Sequence, residues 1–345
     1  MKPKLLFICN WRTDSYGSTV GLFNQAKLTA SVLQHCGLAD AEAIRVPDSN
    51  FIDREVHNRR PDVVIIEALW VPPYKFEQLF PLHPNVRWVV RVHSNTPFLA
   101  IEGIAFPWLY GYTDAVQGLV DITGNNARLV SDLQDTIPAR VSLLPNLYPF
   151  LHSEHRAPRV YRPHLDVGCF GAIRPLKNQL LQGVAAIEFG TRLNVPIHFH
   201  INAGRVEQGG QSVLKNLRAV FENCPPHQLV EHPWYEYADF RDVVKTMDLG
   251  MQVSLTETFN VVTADFVSLG VPVVTSTEVE WMPWLCKALD ATDTSTIVRA
   301  LMQVYGLRNL GLTWLSASCL RRYNKRSLAL WKHYLKRLSH TFREP

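Results

Sequence analysis

The sequence predicts an α/β protein of two doubly wound, Rossmann-like domains, and three observations carry that prediction. The chain has 345 residues, too many for one ordinary core and suited to two domains of roughly 150 residues. Short apolar runs alternate with stretches of helical periodicity in both halves. A polar, basic, proline-containing stretch at 152–164 interrupts that rhythm once, near the middle.

Taken in order, Lys4–Cys9 reads as a buried parallel strand, followed by a polar loop at 10–18 and a helix over Thr19–Leu33 with Val20, Phe23, Ala26, Leu28 and Val32 at helical spacing. Val63–Ile66 and Val86–Val92 are strong strand candidates, and Ala115–Leu119 and Val141–Leu144 are weaker ones. Beyond the break, Asp166–Phe170, Pro196–Ile201, Gln228–Glu231, Leu249–Val253 and Val271–Thr275 read as strands, with a helix over Asn178–Phe189. The expected division is an N-terminal domain at 1–155, a second at 156–315, and a C-terminal helix at 316–345. On that helix Leu320, Tyr323, Ser327, Trp331, Tyr334, Leu335 and Leu338 share one face and Lys325, Arg326, Lys332, Lys336 and Arg337 supply a basic remainder.

Composition narrows the class. Hydrophobic content of 47% with 19% charged residues is that of a globular enzyme. No window offers the ~18 uninterrupted apolar residues of a membrane span. The run Leu5–Cys9 is too short for a signal peptide, because Asn10, Trp11 and Arg12 end it at once. A cytoplasmic protein is expected, or one peripheral to a membrane. The six cysteines form no Cys-x-x-Cys pair, so they read as buried thiols of a reducing compartment. A net charge of +4 implies no particular partner, but residues 320–345 carry eight Lys/Arg against one Glu. That basic helix reads first as a packed element with a solvated face, and second as a contact for anionic lipid or nucleic acid.

The most informative stretch runs from Ser254 to Val274. Glu257 lies in the loop after a strand, a helix begins behind it, Asp265 follows, and Gly270-Val271-Pro272 turns into the next strand. Free N–H groups at such a helix start attract a diphosphate. Glu257 can accept hydrogen bonds from sugar hydroxyls, and Asp265 from a ribose diol. Ordinary surface carboxylates are the competing reading. Upstream, Arg174 and Lys177 occupy a strand-to-helix loop where two cations can balance a pyrophosphate and stabilise it as a leaving group. His198 and His200 share a strand face, but no nearby Asp, Glu or Cys completes a metal set along the sequence, so no metal site is expected.

Glu257-Thr258-Phe259-Asn260 through Asp265 to Gly270-Val271-Pro272-Val273 resembles the signature of the family-4 retaining glycosyltransferases, a Glu-x7-Glu element inside E-G-F-G-x-x-x-x-E-A-x-x-x-G-x-P-V. Glu257, Phe259, Gly270, Pro272 and Val273 match in register. Thr258 and Asn260 stand where the family has glycines, Asp265 replaces the second Glu and Phe266 the Ala; asparagine tolerates positive φ better than most residues, whereas Phe266 needs more room. Gly168 through Arg174, Lys177 and Asn178 resembles the family's G-x-x-x-x-x-K-N element. Ile201–Arg205, with Gly204, Glu231–Trp234 and Met247–Gly250 follow in the family's order, so the resemblance covers about 165–280.

The resemblance implies a GT-B fold, two Rossmann-like domains facing across a cleft, with the C-terminal helix returning to the N-terminal domain. It implies a hexosyl- or pentosyltransferase with no tightly bound cofactor, using UDP-glucose or a similar nucleotide-sugar as co-substrate without a metal. The nucleotide-sugar would meet Arg174, Lys177, Asn178, Gly204, Trp234, Phe259, Asn260, Val261 and Asp265; Arg174, Lys177, Glu257 and His93, which ends a strand in Arg91-Val92-His93, would serve the reaction. Arg12, Asp14, Gly17 and Ser18 lie where the family runs a loop past the acceptor. The stretches Ala264–Phe266 and Ile201–Gly210 resemble phage-borne relatives, which leans the acceptor towards hydroxymethylated pyrimidines in duplex DNA; a membrane-surface lipid or an envelope glycan is the alternative. A nucleotide-sugar epimerase or a non-catalytic sugar-binding protein is the alternative of another class.

Overall fold

The computed structural model of the chain describes residues 2–11, 20–149 and 162–341. They divide into two compact units, one of residues 1–149 with 324–345 and one of 150–323.

In unit 1 the order is β1 (Lys4–Asn10), α1 (Val20–His35), β2 (Asp40–Val46), α2 (Ile52–Arg59), β3 (Val63–Glu67), α3 (Pro73–Leu82), β4 (Arg87–Val92), α4 (Thr96–Leu99), α5 (Ala105–Asp114), β5 (Val120–Gly124), α6 (Ala127–Thr136) and β6 (Val141–Leu143). The six strands form one parallel sheet ordered β2-β1-β3-β4-β5-β6. Alternate side chains point to opposite faces, and both faces are covered. Leu6, Ile8, Val64, Ile66, Trp88 and Val90 enter one core cluster, while Leu5, Phe7, Val63, Ile65 and Val89 enter the other. This explains why the strands read as continuous apolar runs.

Unit 2 repeats the scheme with β7 (Leu165–Gly168), α7 (Gln179–Leu193), β8 (Ile197–Ile201), α8 (Gly210–Glu222), β9 (Gln228–Glu231), α9 (Tyr237–Thr246), β10 (Leu249–Gln252), α10 (Val261–Ser268), β11 (Val273–Ser276), β12 (Lys287–Ala288) and α11 (Thr294–Asn309). Its parallel sheet is ordered β12-β11-β10-β7-β8-β9. This is the Rossmann arrangement, with the strand order reversing between β7 and β10.

The last helix, α12 (Trp314–Thr341), belongs to unit 1 from Asn324 onward. Trp331, Tyr334, Leu335 and Leu338 join the core cluster around Phe7 and Ile65. Trp331 Nε1 donates to the Pro145 carbonyl at 2.8 Å, and Asn324 exchanges bonds with the Tyr148 backbone at 3.1 and 2.9 Å. Of the two sequence readings of the basic segment, the packed helix is the one found; Lys325, Arg326, Lys332 and Lys336 remain on its exposed side.

Three sequence expectations need correction. Ala115–Gly118 is a turn of 3-10 helix, and the strand predicted there is Val120–Gly124, since Gly118 takes a φ of 76°. Strand β2 escaped the sequence reading because it is an edge strand in which Asp40, Glu42 and Arg45 break up the apolar pattern, although Ala41 packs on one face of the sheet and Ile44 and Val46 on the other. The His198–His200 pair does have a carboxylate beside it: β7 and β8 pair with Asp166 opposite His198. The residues of the 152–164 linker up to 161 lie outside the described residues.

Phe266, where the resembling family has alanine, is accommodated by two glycines. A Cβ on Gly250 would lie 2.9 Å from three atoms of the Phe266 ring, and one on Gly168 would lie 3.0 Å from its tip. Phe266 in turn stacks on Phe170 at 6.0 Å. Gly250→Ala is therefore expected to destabilise the protein by about 1–3 kcal/mol through overpacking. In urea denaturation the double variant with Phe266→Ala should cost less than the sum of the single variants; simple additivity would refute this account.

Candidate active site

Each unit carries its own cluster of predicted site residues. In unit 2 the relevant loops leave the carboxyl ends of β7 and β10, the neighbours between which the strand order reverses. Chain connections diverge at such a point and leave a crevice, which is where doubly wound sheets bind their ligands.

After β7 the chain runs through Gly171, with a φ of 118°, to Arg174 and a single 3-10 turn ending at Lys177. Asn178 follows at a φ of 59°, and its amide donates to the carbonyls of Val253 (3.1 Å) and Ala291 (2.7 Å). Asn178 thus ties the cation-bearing loop to the segment after β10. That tie brings Lys177 Nζ and Glu257 Oε1, 80 residues apart in sequence, into a direct ion pair. Burial pushes the Lys177 ammonium down from its usual pKa; Glu257 opposes the shift and the Arg174 charge adds to it. Arg174 Nη1 lies 3.6 Å from Glu207 Oε2. Glu207 also holds Arg205, whose guanidinium stacks over the Trp234 ring at 4.5 Å. Gly204 sits beneath Trp234, where a Cβ would strike the Trp234 backbone nitrogen at 2.7 Å. Arg174, Lys177, Glu257, Gly204 and Trp234 are therefore linked through contacts within one unit.

Asn260 explains how the loop forms without the family's glycine. It adopts a φ of 58°, and its side-chain oxygen caps α10 by accepting from Thr263 N at 2.9 Å. Its amide group donates to Gln252 Oε1 at 3.0 Å, so the side chain fixes the loop to β10. Val261 opens α10 and lines up the helix's positive end behind that loop. Ser254 Oγ, Thr256 Oγ1 and Ser276 Oγ, near the carboxyl ends of β10 and β11, are buried without a hydrogen-bond partner among the described residues. Buried polar atoms of this kind are uncommon and fit a place where a polar ligand supplies the partners.

Phe259 and Asp265 are both buried and held by contacts within unit 2. Phe259 is buried between Trp281 and Tyr323, so its ring belongs to the core. Asp265 is 1% exposed, and its Oδ1 accepts from Tyr237 Oη at 2.7 Å, with Arg241 3.7 Å away. A ribose hydroxyl would have to share Asp265 with Tyr237.

The unit 1 cluster lies at the carboxyl ends of β3, β4 and β5. His93 follows β4, its Nε2 bonded to the Glu67 carboxylate and its Nδ1 3.3 Å from Asn125 Nδ2. Asn125 can only donate from that nitrogen, so His93 Nδ1 accepts and Nε2–H faces Glu67. Arg91 is fully buried with Glu67 and reaches it at 3.1 Å, while also bonding the Leu144 carbonyl (3.0 Å) and Asn146 (2.5 Å). Burial pushes the Glu67 carboxyl up, but Arg91 and His93 outweigh it and hold it below the usual range. Burial lowers His93, with Glu67 opposing. Sequence reasoning missed Glu67, Asn125, Glu207 and Tyr237. Glu67 had a signal: a carboxylate closes the apolar run Val63–Ile66 in a strand buried along its whole length, and buried charges require partners. Arg12, Asp14, Gly17 and Ser18 lie outside the described residues.

No family model matches the chain, and no curated protein matches it. Solved structures do. A UDP-forming α,α-trehalose-phosphate synthase from Burkholderia xenovorans superposes with a TM-score of 0.69 at 12% identity, over 100% of both chains. The corresponding protein of Burkholderia vietnamiensis gives 0.67 at 12% identity, over 98% of this chain and 100% of that one. TarM of S. aureus, solved with α-GlcNAc-glycerol and UDP, gives 0.59 at 11% identity over 82% of this chain and 55% of its own length. At such identities the likeness concerns the fold, and the fold is GT-B, built from two Rossmann-like parallel sheets. Among the described residues no helix is long and apolar enough to cross a membrane.

Proposed function

We propose that the protein is a retaining glycosyltransferase that moves a sugar from a UDP-sugar to a hydroxyl of an envelope glycan or lipid-linked glycan. The observation that carries the reading is the meeting of Lys177 with Glu257, beside Arg174, at the point where the unit 2 strand order reverses. A diphosphate entering there replaces Glu257 as the partner of Lys177 and is neutralised by Lys177 and Arg174. Glu257, released from the ion pair, accepts hydrogen bonds from the sugar hydroxyls. The bond from the anomeric carbon to the phosphate oxygen breaks as the bond to the acceptor oxygen forms on the same face. The acceptor proton passes to the departing phosphate, and UDP leaves. His93, oriented by Glu67 and Asn125, is assigned a role in the same reaction.

The similar folds of enzymes whose names record UDP formation, and of TarM with its bound UDP, support a UDP-sugar donor. The α-GlcNAc-glycerol bound to TarM favours a glycan-type acceptor over DNA. The aromatic side of α12 is also less suited to an extruded base than its sequence suggests, because Trp331 is packed in the unit 1 core.

The test offers a panel of UDP-sugars to the purified protein, together with either an envelope lipid and glycan extract or duplex DNA containing hydroxymethylated pyrimidines. Sugar should pass to the extract with release of UDP and retention of anomeric configuration. Sugar appearing on the DNA would replace the proposed acceptor. UDP binding without transfer to either would favour the epimerase or the sugar-binding protein.

A further inference from the structure

The amino-terminal edge of the unit 2 sheet carries a cluster that the proposed transfer does not use. His164 precedes β7, Asp166 is its second residue, and His198 stands opposite Asp166 on β8. His164 Nε2 lies 3.5 Å and His198 Nδ1 3.7 Å from the same oxygen, Asp166 Oδ1. One ligand atom from each of the three residues lies within 4.8 Å of the others. Around a tetrahedral ion with bonds of about 2.0–2.1 Å, donor atoms are spaced about 3.4 Å apart. The two imidazoles stack at 3.7 Å and 16°, and a turn of one ring about its Cβ–Cγ bond brings both in-plane lone pairs onto one ion.

We propose that His164, Asp166 and His198 form a binding site for a divalent ion of the zinc class, with water in the fourth position. The donor set, two imidazoles and one carboxylate, is the mixture that borderline transition ions prefer over calcium or magnesium. The surroundings hold the carboxylate in place. His200 Nε2 lies 2.9 Å from Asp166 Oδ1, His200 Nδ1 2.8 Å from His232 Nε2, and His232 Nδ1 3.1 Å from Tyr235 Oη. One set of neutral tautomers satisfies the whole chain: Tyr235 donates to His232, His232 to His200, and His200 to Asp166. Supporting hydrogen bonds of this kind orient a ligating carboxylate and raise metal affinity. Arg162 bonds the other oxygen, Oδ2, and leaves Oδ1 facing the histidines. Both histidine side chains are 22% exposed, so an ion can enter from solvent.

The site lies at the opposite end of β7 from Arg174 and Lys177. Its ion therefore stays clear of the diphosphate and acts on the fold, clipping the start of unit 2 to β8.

Full-length protein stripped with a chelator would be titrated with Zn²⁺ and, separately, Co²⁺. One equivalent should bind saturably, Co²⁺ should develop the visible absorption of a four-coordinate site, and Zn²⁺ should raise the thermal midpoint. His164→Gln with His198→Gln should weaken binding at least about 10-fold, while His57→Gln, in unit 1, should leave it unchanged. His164→Gln alone serves if the double variant does not fold, since that ring is partly exposed. UDP binding should survive in these variants, which separates failure of the metal site from failure of the proposed transferase activity. Absence of saturable binding, or equal affinity in wild type and the His164 and His198 variants, would overturn the proposal.

Discussion

Lys177→Met should reduce sugar transfer by roughly 10²–10³-fold, the loss expected when one group stabilising charge in the transition state is removed. The change retains most of the side-chain volume but removes the charge that faces Glu257 and, in the proposed reaction, the leaving diphosphate. The effect should fall mainly on kcat, with a smaller rise in KM, because the diphosphate gains charge as the sugar departs. The variant also leaves Glu257 without its ion-pair partner, so stability must be measured alongside activity. If Lys177→Met with Glu257→Gln recovers the unfolding midpoint but not turnover, the two roles separate. Near-wild-type kcat in a folded Lys177→Met protein would remove the basis for the proposed function.

The second large effect is on stability. Glu67→Ala should cost about 3–5 kcal/mol, because it leaves the guanidinium of Arg91 buried without its carboxylate. Glu67→Leu combined with Arg91→Met should recover much of that loss, since replacing both members of a buried pair by apolar groups removes the unpaired charge. Activity should not return with stability, because His93 would still lack the carboxylate bonded to its Nε2. Urea denaturation and turnover measured on the same preparations decide the matter. A double variant no more stable than Glu67→Ala would show that the pair contributes in some other way, and full activity in that variant would remove His93 orientation from the proposed mechanism.

The sequence by itself determined the alternation of strands and helices. A strand buried on both faces has to be a short apolar run, so Lys4–Cys9, Val63–Ile66 and Val86–Val92 announced themselves. It also placed Arg174, Lys177 and Glu257 in loops after strands, because chemistry-bearing residues that follow apolar runs stand out. It could not supply neighbours. The Lys177–Glu257 pair depends on β7 lying beside β10, and the bond from Glu67 to His93 depends on β3 lying beside β4. The placing of Asp166 against His198 depends on the register of β7 on β8. Strand order and register are set by how whole sheets bury their faces, which no local pattern contains. The same holds for Phe266, which local comparison marks as oversized and which fits only because Gly168 and Gly250 come to lie beneath its ring. It holds too for α12, whose basic residues draw attention to a surface, while its place in the fold is set by the burial of Trp331, Tyr334, Leu335 and Leu338 in the unit 1 core.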